Sequence, residues 1–119
     1  SGGVAPYSPG RKKGDWWVVR PRAETIDFDS AEDFRRGVVT ALDLGERLIA
    51  VDLSGVRMVD STGIGAFVAI LKRLDRKGHL RLFGAQAMVL SVLQTVKLGE
   101  LLPHFVSEEE ALRAPLPKS

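Results

Sequence analysis

The stretch from Leu48 to Ile70, LIAVDLSGVRMVDSTGIGAFVAI, decides how the rest of this chain is read. Leu48-Ile49-Ala50-Val51 is an apolar, largely β-branched run that continues through Asp52-Leu53 and breaks at Ser54-Gly55. It does not alternate, and a run of strand length that is apolar on both faces predicts an interior strand of a parallel-type sheet. Val56 to Val59 is a second short apolar piece. Beyond Asp60-Ser61-Thr62 the large apolar residues Ile64, Phe67, Val68, Leu71 and Leu74 recur at helical spacing. The stretch therefore reads as strand, tight loop and helix, and the first turn of that helix displays two hydroxyls and a carboxylate.

Toward the N-terminus, Arg47 to Asp29 reads as one more helix and its exit. Ser30 with Asp33 three residues on has the form of a capping box, Ala31, Phe34, Val38, Ala41 and Leu42 share one stripe, and Gly45 is placed for a left-handed cap. Arg22 to Asp27 is ambiguous, with a brief extended piece at Thr25-Ile26. Asp15 to Arg20, DWWVVR, is a strand stopped by Pro21, with Trp16 and Trp17 on opposite faces: one enters the core and the other covers an edge. Residues 1–14, SGGVAPYSPGRKKG, are rich in Gly, Pro, Ser and charge and read as a flexible lead-in.

Toward the C-terminus, Lys77-Gly78 closes the central helix, and His79 to Phe83 is a strand. Gly84 turns the chain into a helix over Gln86 to Lys97, with Met88, Val89, Val92, Leu93 and Val96 facing inward and Gly99 as its cap. His104-Phe105-Val106 is a short strand. Ser107 with Glu110 makes a capping box that opens a last helix through Arg113, and residues 114–119 form a tail. The order of alternating strands and helices predicts one α/β domain over residues 15–113, a mostly parallel sheet of four to five strands with about four helices. Loops at the carboxyl ends of such strands are where function gathers, and Asp60-Ser61-Thr62 is one of them.

Size and composition narrow the chemistry. At 119 residues with 45% hydrophobic content, the chain makes one domain that buries somewhat under ~70% of its unfolded surface without staples. It has no cysteine, which removes disulfides, thiolate zinc sites and a Cys nucleophile. No apolar run approaches the ~20 residues that span a bilayer, and no signal-peptide pattern opens the chain, so a cytoplasmic protein without membrane contact is expected. A net charge of +2 does not require a nucleic-acid partner. Lys72, Arg73, Arg76 and Lys77 gather where the central helix ends, where the dipole favours cations, and no aromatic residue is interleaved with them.

Catalysis at the loop finds little support. A nucleophilic Ser61 needs a base, yet His79 lies about a helix length away and nothing brings His104 near, and no G-x-S-x-G elbow is present. No catalytic residue, metal site or cofactor is expected: the chain has no H-x-x-x-H pair and no dense carboxylate loop. Gly63-Ile64-Gly65 lacks both the P-loop lysine and the third glycine of a dinucleotide fingerprint. Capping explains one of the three polar residues at about 1 kcal/mol, and three in a row exceed what a cap requires. A hydroxyl at a helix N-terminus is also a place where an added phosphate suits the fold, because the dipole and free N–H groups favour its charge.

These residues carry a resemblance. Val51 to Gly65, VDLSGVRMVDSTGIG, resembles the signature of STAS domains, specifically the bacterial anti-sigma factor antagonists, in which D-S-[ST]-G-[LI]-G lies between a strand and a helix. The likeness extends from about Trp16 to Leu112, through the Ala31-Glu32-Asp33-Phe34 helix start, Lys77-Gly78, the Val96 to Leu102 segment and SEEEAL at Ser107 to Leu112. It implies a non-enzymatic regulator of transcription that binds an anti-sigma factor, itself a serine kinase, while its motif serine is unmodified. The kinase phosphorylates that serine, the complex parts, and a phosphatase resets it.

By the same resemblance Ser61 is the phosphate acceptor, and Asp27, Asp60, Ser61, Thr62, Gly63 and Ile64 belong to the partner-binding surface. It involves no direct nucleic-acid contact, and homodimerisation stays open. Relatives carry Gly-Glu before the first helix where this chain has Glu24-Thr25-Ile26-Asp27, which keeps Asp27 alone. Two other roles known among STAS domains remain open at this point: an accessory subunit of a lipid ABC transporter, and a nucleotide-binding or scaffold domain.

Overall fold

The computed structural model describes residues 8–117. Five strands form the main sheet in the order β1-β2-β4-β6-β7: β1 (Gly10–Lys13), β2 (Trp16–Val19), β4 (Leu48–Asp52), β6 (His79–Phe83) and β7 (His104–Phe105). Only the β1–β2 pair is antiparallel. A separate parallel ladder joins β3 (Thr25–Ile26) to β5 (Met58–Val59). The helices are α1 (Ala31–Asp43), α2 (Ser61–Leu74), α3 (Ala87–Thr95) and α4 (Glu108–Arg113). A mostly parallel five-stranded sheet with four helices is the expected α/β architecture.

Both faces of the sheet are covered, which is why β4 reads as an unbroken apolar run. Val19, Ile49, Val51, Leu80 and Leu82 point to one side and meet Phe34 and Val38 of α1, Phe67 and Ile70 of α2, and Val89 and Leu93 of α3. The Phe34 and Phe67 rings anchor that layer with centroids 5.1 Å apart. Trp16, Val18, Ala50 and Phe83 point to the other side, under Ala111 of α4. Period-2 alternation thus feeds two unequal cores from the same strands. Trp17 lies half-buried beside the larger core and next to β1, the covering role expected for one of the two tryptophans.

Several local expectations are corrected. The lead-in was expected to run unstructured to Gly14, yet Gly10–Lys13 is a strand. All four of its residues are exposed, so no apolar pattern announces it; its ladder to β2 and its ion pairs hold it. Arg11 and Lys13 reach Glu108, and Lys12 reaches Glu46 at 2.6 Å. Lys13 and Arg11 hold the Glu108 carboxyl below the usual range. The remainder of the lead-in, residues 1–7, and the end of the tail, residues 118–119, lie outside the described residues.

Ser30 does not cap α1 with its side chain. Its hydroxyl donates to the Thr25 carbonyl, while Asp33, the supposed partner in a capping box, binds Arg22 and the buried Ser8. Asp27 instead closes the turn that leads into α1: its Oδ1 accepts from the Asp29 and Ser30 N–H groups at 3.0 and 3.2 Å, and its backbone carbonyl accepts from the Ala31 N–H at 2.8 Å.

Two helix ends also differ. α2 stops on Asp75 and Arg76, both with positive φ, and α3 is followed by a positive φ at Lys97; neither Gly78 nor Gly99 adopts that conformation. Gly78 answers a different need, since a Cβ there would lie 2.3 Å from the Arg47 carbonyl oxygen. Gly45 has the positive φ expected of it, and Gly84, read as a turn, has one too. On α3 the inward stripe narrows to Val89 and Leu93, one turn apart, leaving Met88 and Val96 exposed.

Candidate functional site

The site is assembled by the small β3–β5 ladder. Ile26 pairs with Val59, and the Asp60 N–H donates to the Ile26 carbonyl at 3.1 Å. The pairing therefore sets Asp27 and Asp60 side by side, each one residue past its strand and one residue or a short turn before a helix. Asp60 is in extended backbone and caps α2: its Oδ1 accepts from the Thr62 N–H at 2.9 Å and the Gly63 N–H at 3.0 Å. Two of the orphan donors of the helix start are thereby satisfied.

With Asp60 as the cap, the hydroxyls of Ser61 and Thr62 are left for other uses. Both residues are exposed, and neither hydroxyl is hydrogen-bonded among the described residues. Gly63 is buried, and a Cβ on it would meet the Ile26 carbonyl oxygen at 2.3 Å and Val59 Cγ1 at 2.7 Å. The glycine lets the first turn of α2 press against the ladder and fixes where Ser61 stands. Gly65 is different: nothing lies within 4 Å of a Cβ built there. It is one turn from Ser61 on the same helix face, so it leaves bare backbone beside the hydroxyl. Ile64 is half-buried against the larger core.

The structure thus brings Asp27, Asp60, Ser61, Thr62 and Gly63 together, with Ile64 turned partly inward. Neither histidine is hydrogen-bonded to any of them among the described residues. His104 accepts from the Ala85 N–H through Nε2 at 3.1 Å, at the start of β7, and burial pushes its pKa down. Among the described residues no group of three or more His, Cys, Asp and Glu side chains is placed to hold a metal ion.

Sequence reading missed the apolar flank of this site. Phe28, beside Asp27, is 82% exposed, and Met58 and Met88 are exposed across from one another. An open groove of about 430 Å³ runs between them, lined by Glu24, Thr25, Arg57, Met58, Gln86 and Met88. Only the β3–β5 pairing puts residues 24–28 next to 57–60, and two-residue strands carry too little pattern to announce it. A second feature did have a sequence signal, the D-x-S spacing of Asp52 and Ser54. Asp52 Oδ1 accepts from the Ser54 N–H and hydroxyl at 2.9 and 2.7 Å, and Arg20 closes on Asp52 Oδ2 at 3.2 Å. This knot shapes the loop that carries the chain from β4 to β5.

A family model for the STAS domain matches residues 10–111. The chain belongs to the STAS domain family. The match begins at β1, the strand that composition concealed. Among solved structures, this STAS domain is similar to a Thermotoga maritima protein, at 24% identity and TM-score 0.78, over 88% of this chain and 91% of the other. It is similar to an anti-sigma-factor antagonist (STAS) domain protein from Planctomyces limnophilus at 20% identity and TM-score 0.79, over 92% and 97% of the two chains. The Bacillus cell fate determinant SpoIIAA in its phosphorylated form aligns at 22% identity and TM-score 0.65, over 88% and 96%. These likenesses show the fold. No curated protein matches the chain. Among the described residues no helix is long and apolar enough to cross a membrane.

Proposed function

We propose that this STAS domain is an anti-sigma factor antagonist: a binding module that engages an anti-sigma factor with serine-kinase activity and lets go when Ser61 is phosphorylated. The observation that carries the reading is the exposed, unbonded Ser61 hydroxyl on the first turn of α2, held in place by an Asp60 cap that does not use it. A kinase can reach that oxygen, and the helix N-terminus favours the phosphate once attached. The partner surface is Asp27, Asp60, Ser61, Thr62, Gly63 and the exposed edge of Ile64, with Phe28 and Met58 as apolar contacts and the bare Gly65 admitting close approach. A cognate phosphatase resets the switch, in the bacterial cytoplasm, without nucleic acid, cofactor or catalysis by this chain.

The switching energy follows from charge. Phosphoserine adds about −1.5 to −2 charges beside Asp60. Juxtaposed like charges in an interface cost several kcal/mol, and about 3 kcal/mol weakens a complex roughly a hundredfold.

The test is phosphorylation by the cognate kinase followed by a pull-down. Wild-type protein is expected to take one phosphoryl group on the Ser61 peptide, and Ser61→Ala none while still binding the kinase. Ser61→Asp is expected to bind at least tenfold more weakly. Phosphate arriving unchanged on Ser61→Ala overturns the acceptor assignment. Co-purification with a transporter ATPase and no phosphorylation would overturn the whole reading in favour of an accessory subunit.

A further inference from the structure

The far end of α2 holds a second concavity with a different chemistry. α2 spans 14 residues, so its last turn lies about 20 Å from Ser61. There a groove of about 550 Å³ opens, within the ~300–1,000 Å³ range of small-molecule sites. Leu71 and Leu74 of α2, Leu80 of β6, and Leu101, Pro103 and Phe105 give it apolar walls.

Three observations give the groove a polar end that asks for an anion. The first is an open strand edge. β7 pairs only with Leu82 and Phe83, so the beginning of β6 has no neighbour on that side. The Leu82 N–H donates to the Pro103 carbonyl and the Gly84 N–H to the Phe105 carbonyl. By the two-residue period, the N–H of Leu80 points the same way, and no partner meets it among the described residues.

The second observation is Arg81. It is 4% exposed, its guanidinium 4.6 Å from the Trp16 ring centroid and 5.4 Å from that of Phe105. Its Nη1 donates to the Ala111 and Ala114 carbonyls and its Nη2 to that of Pro115, at 2.6, 2.7 and 2.9 Å. Among the described residues its Nε–H has no partner and no carboxylate pairs with it. Three neutral carbonyls hold the group in place without neutralising it, and a buried charge without a counter-ion is costly. The third is the rim: Arg76 and His79 line it, and Glu100 is the one acidic residue there.

We infer that this groove binds a small amphipathic carboxylate, an aliphatic chain of medium length lying on the leucine walls with its head group at the Arg81, Arg76 and Leu80 N–H end. The site is independent of the Ser61 switch and stands or falls separately from it. An added peptide strand suits it less, because the open edge is only a few residues long.

The test is a titration of the full chain with decanoate below its micellar concentration, followed by calorimetry and by amide chemical shifts. Decylamine and decanol serve as cationic and neutral chains of equal length. Saturable decanoate binding is expected, with shifts centred on Leu80, Arg81 and Phe105. Leu101→Glu and Arg76→Glu, at exposed rim positions, are each expected to weaken it about tenfold without moving the thermal midpoint. Absence of saturable heat overturns the proposal. So does equal binding of decylamine or decanol, a response centred on another face, or binding to anionic vesicles with none to free decanoate.

Discussion

Gly63 and Gly65 are two residues apart and do opposite things. At Gly63 a methyl group has nowhere to go, since the nearest atom is a backbone carbonyl at 2.3 Å. Gly63→Ala is expected to destabilise the domain by about 1–3 kcal/mol in urea unfolding, because α2 must lift from the β3–β5 ladder. At Gly65 the methyl group meets open space, and Gly65→Ala is expected to stabilise by about 0.5–1 kcal/mol through helix propensity alone. If the bare face beside Ser61 serves a partner, that stabilised variant binds the partner more weakly. A stable protein with unchanged binding removes Gly65 from the interface.

His104 supplies a pH dependence of known sign. Burial lowers its folded pKa below the unfolded value of 6.5, and the nitrogen that accepts from Ala85 must be unprotonated. The unfolded chain therefore takes up the proton first. The contribution to stability is present above pH 6.5 and is lost as pH falls below that value toward the lower folded pKa. Thermal midpoints are expected to fall between pH 7 and pH 5.5, and His104→Gln to flatten the slope over that interval. A wild-type midpoint constant over that range contradicts the assignment.

At the scale of elements, α4 is a six-residue helix fastened mainly by its ends. Ser107 caps it, accepting from the Glu110 N–H at 3.2 Å, and Arg81, on the same face of the sheet, donates to the Ala111 carbonyl. Ala114 and Pro115, which read as tail in the sequence, are latched by the same guanidinium. Arg81→Met is expected to cost about 2–3 kcal/mol and to abolish amide protection in α4 before any other element opens. Retained protection there would mean that Ala111 packing alone holds the helix.

What was legible among the elements followed burial. β4, α1 and α2 bury a stripe or two faces, and their sequences say so. β1 buries nothing, so its residues carry no periodicity, and only its hydrogen-bonded neighbour makes it a strand. The two-residue β3 and β5 were visible only as brief extended or apolar pieces. The expected stop signals at Gly78 and Gly99 failed for a related reason: the helices end where packing ends, and Asp75, Arg76 and Lys97 accept positive φ there.

For the whole molecule, the one motif that pointed to function also sits at the seam of the two ladders, so site and fold were read from the same residues. A cap among Asp60, Ser61 and Thr62 was legible, though not that Asp60 supplies it, and close packing was expected of both Gly63 and Gly65, where only Gly63 packs. The exposed flank of Phe28, Met58 and Met88 was not, because it exists only once distant segments are paired. The positive charge of the chain, which a basic pI advertises, is largely tied up at the surface: Arg11, Lys12, Lys13, Arg22, Arg35, Arg36 and Arg73 all pair with carboxylates.

The doubly bonded Asp60 carboxylate, with Gly63 wedged beneath it, has a bearing on how a message at Ser61 would travel. The frame around that oxygen is already locked by backbone donors, so attaching a phosphoryl group has no slack to take up and no hinge to swing. Modified and unmodified forms would share one backbone and differ in a single projecting group, its bulk and its charge together. A visitor to this surface would meet the same frame with one new obstacle on it.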